Sequence, residues 1–397
     1  MNRTTALVFG LLVVLPAQAQ TLADAVEQAW SRHPQAAASV AREAEAQARA
    51  DLAASSTPGP ATLSLSGLND RLNTNRGKQE WEVEIAVPLW APGQKAAREA
   101  EASSTQGFVA ATRHALRLQI AAEVRDAWWA VAAARNARDL AARRVATARA
   151  LESDVLRRFK VGELARIDAN LVQNERLASE AELADAEAAL RQADQAFRAL
   201  TGIAAPTVLP SENIAATREP RQDHPQMVVV AAAAQLARAR LKVADATRRD
   251  APELAMRVVR DRGDFAEPYG NSVGVKLTIP FSSGPRVRQE NAAARAELAQ
   301  ADAEMALVQL RIKLDEERVR LDLETVERQL QMAGRRRELT ADNLALAEKS
   351  FALGESDLPT LLRARANALE AEALLNRQQV ALGASRSRLN QVLGVLP

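Results

Sequence analysis

Over most of its length the chain places apolar residues at steps of three and four. Ile120, Val124, Ala127 and Val131 form one such seam, the spacing of a coiled-coil face. The pattern runs from Pro92-Gly93 to about residue 160, and again from Pro285 to about residue 352. It predicts two helices of roughly 68 residues, each about 100 Å long. Shorter helices are expected over about 22–54, 166–201, 224–250 and 358–394. Taken in pairs these nearly match the long ones, so two short helices stacked end to end would line each long helix.

In two places the period drops to two. "QEWEVEIAVP" alternates Trp81, Val83, Ile85 and Val87 with Glu82, Glu84 and Ala86, and "ATLSLSGL" alternates Leu63 and Leu65 with Ser64 and Ser66. Asn73 to Gly77 supply the turn between them. Later, "NSVGVKLTIP" sets Val273, Val275, Leu277 and Ile279 against Gly274, Lys276 and Thr278. Its partner "PELAMRVVRDRG" is less regular, with Leu254, Met256 and Val258 on one face; Arg262-Gly263 and "EPYGN" provide the turn. Two β-hairpins are expected.

The same order of elements occurs twice. "RHPQAAASVAREAEAQARADL" (32–52) matches "DHPQMVVVAAAAQLARARLKV" (223–243), and "VEIAVPLWAPGQKAAREAEA" (83–102) matches the stretch beginning "VGVKLTIPFSSGPR". "RFKVGE" matches "SFALGE", with Phe159 opposite Phe351 and Gly162 opposite Gly354, and "FRALTG" matches "LNQVLG". One unit is duplicated: helix, two strands, long helix, glycine-containing turn, helix. The first copy is expected over 20–202 and the second over 223–397, joined by a linker or small equatorial segment at 203–222. Glycine costs about 1 kcal/mol relative to alanine inside a helix. Its duplicated use at Val161-Gly162 and Leu353-Gly354 therefore marks a hairpin turn after each long helix.

The N-terminus, "MNRTTALVFGLLVVLPAQAQT", has a basic start, an apolar run from Ala6 to Leu15, and a small-residue site at Ala17-Gln18-Ala19. These are the parts of a secretory signal peptide over residues 1–19, and the run is too short to span a bilayer. Lys and Arg total 52 against 50 Asp and Glu, interleaved along the chain, which speaks against nucleic acid as a partner. The absence of cysteine excludes disulfides, thiol catalysis and a lipid-carrying cysteine. Three scattered histidines, His33, His114 and His224, form no HExxH, and no phosphate loop is present. No enzyme activity, cofactor or metal site is expected, and the two His-Pro pairs read as helix-start residues.

Export changes the weight of the hairpins. One amphipathic hairpin also suits the surface of a soluble core, but two between long helices in an exported chain suit a barrel with lipid outside and water inside. Strands of about 10 residues cross a bilayer when tilted. The lipid-facing set would be Leu63, Leu65, Trp81, Val83, Ile85, Val87, Val273, Val275, Leu277 and Ile279, with Trp81, Trp90, Tyr269 and Phe281 near strand ends, where an aromatic belt sits. Four strands cannot close a barrel, and open edges are not tolerated in lipid, so several copies must pool their strands. A periplasmic coiled-coil protein without a pore, such as an adaptor, is the competing reading. An adaptor would carry one helical hairpin enclosed by β-rich segments.

On its duplicated unit, its "VPLWAPGQ" and "IPFSSGPR" junctions and its "FKVGELARID" and "FALGESDLPTLL" turns, the chain resembles the TolC-like outer-membrane efflux family. The resemblance covers nearly the whole mature chain. It implies a mainly α fold with a membrane β-barrel portion: a homotrimer with a 12-stranded barrel in outer-membrane lipid and a helical tunnel through the periplasm. The tunnel would be the exit duct for an inner-membrane pump, joined through a periplasmic adaptor protein. The glycine turns would form the adaptor-contacting tip, with Val161, Gly162, Glu163 and Asp168 in the first and Leu353, Gly354, Glu355 and Asp357 in the second. Some relatives carry acidic gating residues six and nine positions after the second glycine. Here these are Thr360 and Arg363, so that ring is absent, and Glu355 and Asp357 are the nearby acids. The short link after Thr201 and the early end after Gly394 lean towards the heavy-metal-exporting branch.

Overall fold

The computed structural model describes residues 21–215, 223–281 and 284–397. The expected signal peptide, residues 216–222 of the linker, and residues 282–283 of the second strand-to-helix junction lie outside the described residues. Among the described residues, seven α-helices and four strands follow in the order α1 (Leu22–Arg32), α2 (Pro34–Ala54), β1 (Thr62–Asn69), β2 (Gln79–Pro88), α3 (Gln94–Lys160), α4 (Arg166–Thr201), α5 (Pro225–Ala246), β3 (Glu253–Arg262), β4 (Gly270–Thr278), α6 (Gly284–Ala352) and α7 (Leu358–Val392). The two long helices have 67 and 69 residues, close to the sequence expectation.

The expected single helix over 22–54 is two helices. Pro34 lacks an N–H and its ring forces the preceding residue out of the helical region, so His33 is extended at φ −72° and ψ 127°. His33 then caps α2: its Nδ1 accepts the Gln35 amide at 3.2 Å. The other His-Pro pair repeats this, with His224 Nδ1 accepting the Gln226 amide at 3.2 Å. At the start of α1, Thr21 and Asp24 form a reciprocal capping box, each side chain accepting the other's backbone amide.

Along its strand-side half, α3 packs between α2 and α5, and α5 packs in turn on α6. Along the other half it packs between α4 and α7, and α7 packs on α6. The helical layer thus runs α2-α3-α5-α6 near the strands and α4-α3-α7-α6 beyond, leaving α2 and α4 at one margin and α6 at the other. The sheet repeats this arrangement. Its order is β1-β2-β3-β4, so β1, which follows α2, and β4, which precedes α6, are its edges.

The principal core lies where α1, α3 and α4 meet. Of the predicted seam, Ile120, Val124 and Val131 are fully buried, together with Trp128 and Phe197 and beside buried Leu22 and Val26, while Ala127 is partly buried. The Trp128 and Phe197 rings pack tilted, with centroids 6.1 Å apart. Next to it, Trp129 donates to Ser387 Oγ at 2.9 Å while its ring rests on Gly383 of α7. A Cβ at Gly383 would stand 2.1 Å from that ring, so only glycine lets α3 and α7 approach here. Ion pairs fasten the helices further along: Arg144 to Glu175 and Glu182, Arg176 to Glu152, and Arg149 to Glu180 join α3 and α4.

Candidate functional site

Antiparallel register brings the apolar positions of all four strands into rows. Leu65 lies opposite Val83, Val83 opposite Val258, and Val258 opposite Val273. A second row runs Leu63, Ile85, Met256, Val275. These side chains are exposed, with Leu65 at 72% and Val275 at 74% of full accessibility. Successive strand residues face opposite ways, so one face of the sheet is a continuous apolar surface without a partner among the described residues. An exposed apolar patch of this extent marks a contact with another apolar phase or another chain.

The other face is polar. Ser64 lies opposite Glu84, and Glu84 opposite Arg257. Arg257 pairs with Glu82 at 3.5 Å and Lys276 with Glu84 at 3.5 Å. Of the expected lipid-facing set, Leu63, Leu65, Trp81, Val83, Ile85, Val273, Val275 and Leu277 are exposed strand residues, and Val87 is half-buried. Ile279 is exposed but lies one residue beyond β4, after Thr278 closes the ladder against Glu253. β3, which looked irregular in sequence, contributes Leu254, Met256 and Val258 to the same face.

The two glycine turns meet at the opposite end. Leu151 and Val155 of α3, Val172 of α4, Phe351 of α6, and Leu358 and Leu361 of α7 form one buried cluster. The Arg158 guanidinium lies 4.9 Å above the Phe351 ring, and Arg158 also pairs with Glu163 at 3.1 Å. Both turns have the same geometry. Gly162 (φ 85°) and Gly354 (φ 77°) are left-handed, and the following amides of Glu163 and Glu355 reach back to the carbonyls of Arg158 and Ser350 at 2.9 Å. Val161 and Leu353 stand exposed just before the glycines, at 72% and 65%.

The acidic tip residues separate by role. Asp168 is the third residue of α4, and its carboxylate accepts the Ala165 amide at 3.2 Å. Asp357 is the N-cap of α7, accepting the Thr360 amide at 3.0 Å. Hydrogen bonds from Thr360 hold the Asp357 carboxyl below its usual range. Arg363 donates to Thr360 Oγ1 at 3.3 Å, so the positions six and nine after Gly354 bond to each other. Glu163 and Glu355 are exposed.

One feature escaped the sequence reading. On α6, Leu307, Leu314 and Leu321, and then Met332, Leu339 and Leu346, recur at seven-residue steps and are all exposed. This is a coiled-coil seam at the layer margin with no helix against it among the described residues of the single chain. Exposed Val40 and Leu52 on α2 and Leu177 on α4 lie at the other margin.

Residues 218–395 match the model of the outer membrane efflux protein family. Over 219 residues the chain is 26% identical to the cobalt-zinc-cadmium resistance protein CzcC of Cupriavidus metallidurans; the match covers 53% of this chain and 52% of that relative, so about half of its length. The fold is shared with the outer membrane protein VceC of Vibrio cholerae (TM-score 0.77, 16% identity, 94% of this chain and 96% of that one). It is likewise shared with CusC, a protein with transmembrane channel formation (TM-score 0.77, 14% identity, 95% of this chain and 92% of that one).

Proposed function

We propose that this chain, whose residues 218–395 match the outer membrane efflux family and which over about 94% of its length has the fold of outer-membrane channels, is the exit duct of a tripartite efflux system. Three copies join head to tail. β4 of one extends the sheet at β1 of the next, and the exposed seam of α6 packs on the neighbour's α2 and α4. The coincidence of the open margins in the sheet and in the helical layer carries this reading, because one rotation then satisfies both layers. Twelve strands present the apolar rows to outer-membrane lipid and the Glu- and Arg-bearing face to water. The helices reach through the periplasm, and the two glycine turns, with Val161 and Leu353 exposed beside them, meet a periplasmic adaptor that leads to the inner-membrane pump.

The relative's part in cobalt, zinc and cadmium resistance supports divalent cations as cargo. They would pass through water without stable ligands. An adaptor role fits less well, since both strand hairpins lie between helices rather than enclosing them.

Fractionation tests the reading. The mature protein is expected to sediment with outer membranes, resist salt washing, and leave in detergent as an assembly of three chains. Release by salt alone into a detergent-free solution would reject it.

A further inference from the structure

At its turn end the apolar face of the sheet finishes in two arginines. Arg260 lies directly opposite Trp81, and Arg262 opposite Gln79, which places both on the face of Val83 and Val258. Tyr269, at the end of the β3–β4 turn, is stacked by both guanidinium groups, each 4.8 Å from the ring centre. Its hydroxyl is held by Gln79, and Arg262 donates Nε to the Gly77 carbonyl at 3.0 Å.

No carboxylate neutralises this pair among the described residues. The sheet's own ion pairs, Arg257 with Glu82 and Lys276 with Glu84, lie on the polar face. Asp261, between the two arginines in sequence, also belongs to that face by the alternation of the strand. Stacking on tyrosine fixes the plane of a guanidinium and leaves N–H groups along its edge for an anion, which arginine binds in a fork. Two fixed cations at the rim of an apolar surface, uncompensated by the chain itself, call for an anion that is attached to something apolar.

We propose that Arg260 and Arg262 bind the phosphate of an anionic membrane lipid whose acyl chains lie along Val83, Val258 and Val273. The inference rests on the barrel reading of the sheet. A lipid is the occupant rather than free phosphate because the cations are continuous with the apolar rows. The headgroup meets the arginines at the depth where the acyl chains meet valine.

Phosphatidic acid serves as the probe, because it carries a phosphate monoester on two acyl chains. The full-length assembly is placed in phosphatidylcholine nanodiscs with and without phosphatidic acid, and retained lipid is counted by native mass spectrometry. The wild type is expected to retain phosphatidic acid over phosphatidylcholine. Arg260→Gln should lower that preference about fivefold, and the Arg260→Gln/Arg262→Gln pair by about the square of that factor. The single variant keeps the test open should the double one not assemble. Equal retention by wild type and variants would overturn the inference, as would displacement of the lipid by millimolar inorganic phosphate. A chain that enters no lipid at all speaks against the barrel; one that enters but shows no preference speaks against this site alone.

Discussion

Arg125 on α3 holds Glu212 of the inter-repeat segment through two hydrogen bonds, 2.9 Å from Nε and 2.7 Å from Nη2. The same guanidinium donates to Gln391 and, at 2.9 Å, to the Val395 carbonyl, so one buried cation ties the first repeat, the connecting segment and the C-terminal segment together. Breaking a buried pair by removing one partner leaves the other charge uncompensated and costs roughly 3–5 kcal/mol. Arg125→Ala is therefore expected to lower the melting temperature of the detergent-solubilised protein sharply. Glu212→Gln, which can still accept from Arg125, should lower it less.

At Gly162 and Gly354 nothing lies within 4 Å of an added Cβ, so a substitution there acts only through the left-handed backbone. That conformation costs a residue with a Cβ about 1–2 kcal/mol. Gly162→Val and Gly354→Val should reshape the two turns while the detergent-stable oligomer persists. On the proposed function, export, read as cation tolerance of cells depending on this protein, is expected to fall. Loss of the oligomer instead would assign the turns to folding rather than docking.

In the proposed barrel, lipid contact would make the apolar rows sensitive to charge. Val83→Lys or Val275→Arg puts a cation near the middle of the face, at roughly 2–4 kcal/mol if that face meets the bilayer midplane. Reduced insertion into vesicles, measured by protection of the strands from protease, is the expected result. Normal insertion would mean that the face never meets lipid.

The bare seam on α6 gives a separate test of assembly. Replacing Leu321 or Leu339 by Glu should forfeit roughly 1.5–3 kcal/mol of leucine burial at every copy-to-copy contact. Circular dichroism should still report a helical chain, while light scattering reports a smaller assembly. An unchanged assembly mass would move the contact to another face.

Asp357 sets a pH dependence at the tip. Its hydrogen bonds to Thr360 lower its pKa from 3.8, so the folded state holds the ionised form more tightly than the unfolded one does. The stabilisation is complete above the ordinary aspartate range and disappears as pH falls through the lowered value. A melt series from neutral pH into acid should show Asp357→Ala less stable than wild type at neutrality and converging with it in strong acid. Asp357→Asn, whose side-chain oxygen can still cap the Thr360 amide, should remove most of the difference between neutral and acid.

The long helices were legible because their apolar period holds over dozens of residues, and the glycine turns because they recur in one frame. The His-Pro pair marked a helix start at His33, but that a separate helix ends just before it was harder to read. Proline is tolerated in the first turn of a helix, and the helical composition on both sides continues through it. Arg260 and Arg262 carry a signal that could have been found: they continue the alternation of Leu254, Met256 and Val258 by two more steps. Read singly, they pass for ordinary turn charges. The α6 seam was hidden because covered and uncovered heptads look alike in sequence, and only the helix neighbours tell them apart. No local pattern links Arg125 to Glu212, since 87 residues separate them.

The shared margins of sheet and helices also decide how faults would spread in a mixed population. A copy damaged along α6 still offers a sound α2–α4 margin, so it would enter the proposed ring and leave it with a faulty junction. With sound and damaged copies made in equal amount, the proposed ring of three would escape only when every copy is sound, roughly one time in eight. Damage at one margin would therefore behave as a dominant trait, whereas a chain too unfolded to present either margin would behave as recessive.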